Sequence, residues 1–88
     1  MAEPVRTLRG IITEPDGTSI EVTAEVFPPE QTEDGVWFCR VRFPAVLESE
    51  KRIAGVDRAQ AIELSEMFLR EMADHGGVEL EPRAPPPA

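Results

Sequence analysis

The chain has 88 residues but only one lysine, one histidine and one cysteine, and each scarcity narrows the range of functions. The single cysteine, Cys39, excludes an internal disulfide framework and fits a reducing compartment, so a cytoplasmic location is expected. Basic residues number 9 against 17 acidic, a formal net charge of −8. Nucleic-acid binders carry the opposite sign, because clustered Lys and Arg meet the phosphates, and direct DNA or RNA binding is not expected. No apolar run approaches the roughly 20 residues of a membrane span, and "MAEPVRTLRG" contains no apolar export segment. GxGxxG, the P-loop, GxSxG, HExxH and the calcium-loop spacing are all missing. No catalytic, cofactor-binding or metal-binding residue is singled out, and the chain is expected not to be an enzyme.

What is present is a pattern of alternation and turns. The length allows one domain, assigned to residues 1–80, that buries only about 60–65% of its unfolded surface. "VRTLRGIIT" reads as a strand in which Gly10 signals a bulge or a close backbone approach. "EPDG", residues 14–17, is a hairpin turn: proline presets φ, aspartate bonds its own backbone and glycine accepts a positive φ. In "TSIEVTAEVF" Ile20, Val22, Ala24 and Val26 face one way and Glu21, Thr23 and Glu25 the other, the period of a half-buried strand. Pro28 and Pro29 end it, and "EQTEDG" is a loop. "VWFCRVRF" is a further strand with Trp37, Cys39, Val41 and Phe43 on one face. Lys51 to Ala54 adds a short fourth strand or leaves the sheet at three.

The helix signals are concentrated in "RIAGVDRAQAIELSEMFLREMADHGG", residues 52–77. Asp57 and Gln60 make a capping box. Ala61, Ile62, Ser65, Phe68, Leu69, Met72 and Ala73 share one arc, widened by Leu64, while Glu63, Glu66, Arg70 and Asp74 lie opposite. Gly76 and Gly77 stop the helix. The fold class is α+β: a two-layer sandwich in which a three- to four-stranded antiparallel meander carries one C-terminal helix across one face. Residues 81–88, "EPRAPPPA", read as a disordered proline-rich tail.

Cys39 and His75 are the one conceivable nucleophile–base pair. Cys39 lies on the face that the helix covers, where a thiol is an inert small hydrophobe. His75 ends the helix, where it complements the dipole. The acidic clusters Glu48/Glu50 and Glu30/Glu33/Asp34 read as solvated charge. Two features go beyond folding. Val36, Phe38, Arg40 and Arg42 form a mixed apolar–basic sheet face suited to protein contact. Leu64 and Met67 edge an apolar arc wider than one sheet face uses, which points to a second chain and a homodimer.

"W-x-C" at Trp37 and Cys39, followed by "AGVDRAQAIEL" at residues 54–64, resembles a family of small uncharacterised bacterial domains with a W-x-C strand and a G-V-D-x-x-Q-A helix start. That likeness implies a fold and no chemistry. Phe43, Pro44, Gly55, Ala61 and Pro82 are also similar in placement to HicB-like antitoxins, although the acidic-Leu-Pro-Gly run of those proteins is absent after Phe43-Pro44. This second resemblance implies a module that neutralises a small basic RNA-cleaving toxin, a basic protein partner that the acidic charge suits.

Overall fold

The structure, a computed structural model, describes residues 3–81. Strands β1 (Arg6–Thr13), β2 (Ser19–Val26), β3 (Glu30–Gln31), β4 (Trp37–Arg42) and β5 (Lys51–Gly55) precede helix α1 (Arg58–His75), and β6 (Glu79–Leu80) follows it. They form one six-stranded sheet in which every pairing is antiparallel. Val41 pairs with both Val26 and Lys51, and Trp37 with both Gln31 and Gly55. β2 and β3 therefore share one side of β4, and β5 takes the other as an edge strand. The expected α+β meander under one helix is present, and the fourth strand at 51–54 forms as β5. The two-residue strands β3 and β6 were beyond the reach of sequence periodicity, which needs several alternations to register. Of the tail assigned to 81–88, Glu81 donates its N–H to Arg9; residues 82–88 lie outside the described residues.

Two of the expected local features gain detail from the strand register. β2 ends at Val26 just before Pro28 and Pro29, as read, and the run along β4 resumes beyond them in β3, at the start of the expected loop. The register is Val26 with Val41 before them and Glu30 with Phe38 after them, so both prolines oppose the single residue Cys39. This is a bulge. Phe27 N–H bonds Arg40 C=O on one side and Thr32 N–H bonds Val36 C=O on the other. Even-numbered residues of β4 thus turn their polar groups toward β2 and β3, and Cys39 turns its own away. The ladder asks for no N–H opposite Cys39, and proline fits there without loss. Gly10 resolves as a close approach: a Cβ would stand 2.6 Å from Glu79 O on β6.

The 14–17 hairpin turn forms as read. Gly17 has φ 90°, and Thr18 N–H donates to Asp16 Oδ1 at 2.9 Å, which holds that carboxyl below its ordinary range. β2 is buried only at its far end, Ala24 and Val26, while Ile20 near the turn is exposed because the hairpin tip extends past the helix.

α1 begins at Asp57, whose Oδ1 accepts from Gln60 N–H at 2.7 Å. Gln60 Oε1 returns the bond one residue earlier than a standard capping box, to Val56 N–H at 2.8 Å. At the other end only Gly77 is left-handed, with φ 72°, while Gly76 has φ −88°. Val78 N–H bonds Ala73 C=O and Gly77 N–H bonds Asp74 C=O, the two bonds of a Schellman stop. Glycine at 76 answers a different need, because a Cβ there would meet Val46 Cγ2 at 2.8 Å.

The core is one cluster: Leu8, Ala24 and Val26 of the hairpin, Cys39, Val41 and Phe43 around β4, Ala61, Leu69 and Ala73 of α1, and Val78. Small residues line the contact between helix and sheet. Ala61 lies so close over Gly55 that a Cβ on the glycine would be 2.5 Å from Ala61 N. Glu66, placed on the solvent side by the helical wheel, is instead 7% exposed. The sheet curls far enough for Arg6 of β1 to reach it at 3.7 Å, and Arg70, one turn further along the helix, holds its other oxygen at 3.3 Å.

Candidate functional site

The six residues singled out for protein contact fall on two separate surfaces. Phe38, Arg40 and Arg42 face away from α1, on the open side of the sheet. Directly opposite residues share a face, so Ala54 and Arg52 of β5, opposite Phe38 and Arg40, join them there. The surface is partly self-satisfied. Arg40 Nε meets Glu30 Oε2 at 2.9 Å and its guanidinium lies 5.9 Å from the Phe27 ring centroid. Arg52 stacks over Phe38 at 5.2 Å. Arg42 is exposed and stands across from Glu25. Val36 is exposed but precedes β4, closing the β3–β4 turn through Thr32, whose Oγ1 accepts its N–H at 3.1 Å. Sequence reading took Glu30 as solvated charge, whereas it pairs with Arg40, and did not find Phe27 or Arg52. Phe27 and Glu30 depend on the proline bulge, and Arg52 on a strand that alternation left open.

Leu64 and Met67 lie on the outer flank of α1, 37% and 63% exposed. Glu66 reaches across to Arg6 on β1, so the opposite flank of the helix, with Leu64 and Phe68, is turned toward β5. The helix and the β5 edge thus border one side of the molecule, together with Val56, which is 79% exposed just past the strand.

Cys39 and His75 are not brought together. Cys39 is fully buried, and burial pushes its thiol up, against an opposing hydrogen bond with Ser65. Ser65 Oγ is itself bonded to Ala61 C=O at 2.6 Å. His75 is ten residues beyond Ser65 on the same helix, about 15 Å along its axis at ~1.5 Å per residue. A shallow groove of about 750 Å³ runs over Arg9, Ile11, Glu21, Thr23 and Glu79, away from every residue singled out above. Among the described residues no group of three His, Cys, Asp or Glu side chains is placed to hold a metal ion, and no helix is long and apolar enough to cross a membrane.

Residues 6–73 match the family described as Domain of unknown function (DUF6968). The chain belongs to the DUF6968 family. The DUF6968 match starts at the first residue of β1 and ends in the last turn of α1, so it takes in both contact surfaces and leaves out β6. No curated protein and no solved structure matches the chain.

Proposed function

We propose that this DUF6968 chain is a small, acidic, non-enzymatic cytoplasmic domain that works through contact with protein chains, a second copy of itself first among them. The outer flank of α1 carries the reading. Ala61, Leu69 and Ala73 are buried and Ile62, Phe68 and Met72 pack against the core, yet Leu64 and Met67 remain in water. Covering them gains about 25 cal/mol per Å² of apolar surface removed from solvent. Light scattering after gel filtration tests this: the expected mass is twice the 9.7 kDa of the chain, and a Leu64→Glu/Met67→Glu variant is expected to run as the monomer. A wild-type monomer at high micromolar concentration overturns self-association.

A second reading is favoured by the exposed Glu63, Glu71 and Asp74 around that flank and by the net charge of −8. They suit a basic partner, as in an antitoxin that neutralises a small RNA-cleaving toxin. Co-purification from host lysate at low salt is the test. The expected catch is a small basic RNA-cleaving protein released by raising the salt, and recovery of none removes the reading.

A further inference from the structure

Resting on the self-association reading, we infer that two copies join through β5, edge to edge and antiparallel about a two-fold axis at Ile53, into one continuous sheet. The backbone directions follow from bonds already described. Even-numbered residues of β4 point their polar groups toward β2 and β3, so Trp37, Cys39 and Val41 point theirs toward β5, where they meet Gly55, Ile53 and Lys51. In β5, then, Lys51, Ile53 and Gly55 bond to β4, and Arg52 and Ala54 turn N–H and C=O outward. Among the described residues no other segment pairs with that edge.

An antiparallel copy must match outward groups with outward groups, which leaves few registers. Placing Arg52 opposite Arg52 sets like charges against each other, which is destabilising. Placing Ala54 opposite Ala54 pushes Arg52 past the end of the strand, against Val56. Centring on Ile53 sets Arg52 opposite Ala54 and Lys51 opposite Gly55. All five strand residues are then paired and no two charges face one another. Each of the two Arg52–Ala54 pairs exchanges two hydrogen bonds.

The helices agree with this geometry. α1 packs over β4 and β5 alike, so its axis lies between them. Across the two-fold axis the helices would stand two strand spacings apart, about 10 Å at ~4.8 Å each, at the upper end of the roughly 8–10 Å of packed helices. The flanks that face each other would be those bearing Leu64 and Phe68, while Met67, on the far side of the helix from Ser65 and Leu69, stays at the crest. One edge pairing thus accounts for both the open edge of β5 among the described residues and the exposure of Leu64 beside it.

The test is cross-linking by register. A hydrogen-bonded antiparallel pair has Cα atoms about 5.5 Å apart, inside the roughly 4.4–6.8 Å that a disulfide spans. Arg52 and Ala54 lie on the open face, away from buried Cys39. Arg52→Cys mixed with Ala54→Cys under mild oxidation is expected to give the mixed dimer at least tenfold faster than either variant alone. Arg52→Cys linking to itself, or Ala54→Cys to itself, overturns the register. A dimer by light scattering with no cross-link in any combination overturns the β5 pairing but leaves self-association standing, and a monomer removes both. Ala54→Pro, which deletes only an outward N–H, is expected to halve the mass while its far-UV circular dichroism matches wild type. A folded Ala54→Pro dimer counts against the pairing.

Discussion

Cys39 shows how one buried residue ties solution behaviour to packing. Burial raises its thiol pKa above the ordinary thiol value in the folded protein. Between the unfolded and folded values the native state holds the extra proton, so stability is full below about pH 9 and falls as pH rises toward the folded pKa. The chain has no tyrosine and one lysine, so few other groups titrate there. Urea unfolding at stepped pH is expected to show a decline from pH 9 that is shallower in Cys39→Ala. Glycines 55 and 77 separate two needs that look alike in sequence. At Gly77 a side chain has open space and only the backbone conformation resists; Gly77→Ala is expected to cost about 1–2 kcal/mol. At Gly55 the obstacle is the backbone of Ala61. Gly55→Ala must push helix from strand and is expected to cost more than Gly77→Ala, on the order of 3 kcal/mol as for overpacking generally. Chemical unfolding of the pair ranks them.

Among the elements, α1 is the most fully specified locally. Its Asp57 cap, Gln60 return bond and Schellman stop are written in consecutive residues, and Asp57→Ala is expected to lose about 1 kcal/mol in thermal or chemical unfolding. Leu69→Ala, which empties a fully buried site, is expected to lose about 2–5 kcal/mol. β2 and β4 were legible for a related reason: alternation over six or more residues names a face without reference to neighbours. The bulge at Pro28-Pro29 was not, because a proline pair reads as a stop until the direction of the opposing Cys39 is known. β3 and β6 are too short to carry a period, and they exist because β4 and β1 present hydrogen-bonding groups to them.

Over the whole molecule, Glu66 links the helix to the first strand. Arg6 and Arg70 both hold it, and their side chains are 43% and 32% exposed, so water weakens each pair. Glu66→Ala is expected to cost about 0.5–3 kcal/mol, and a double-mutant cycle with Arg6→Ala should show coupling of about 0.5 kcal/mol or more. The helical wheel put Glu66 in solvent, since a wheel records direction around one axis and nothing of how far a sheet curls beneath it. The contact residues divide the same way. Periodicity named Phe38, Arg40, Arg42, Leu64 and Met67 correctly as outward-facing. It could not show that they occupy opposite faces, that Glu30 and Phe27 already hold Arg40, or that beside Leu64 lies an edge unpaired among the described residues. The sequence by itself determined the α+β class, the helix with both its ends, and the main strands and their faces, because these follow from interactions within a few residues. Only the tertiary structure decided the bulge, the short strands, the burial of Glu66 and the place of β5 at the sheet's edge among the described residues, because each depends on which distant segment comes within hydrogen-bonding reach.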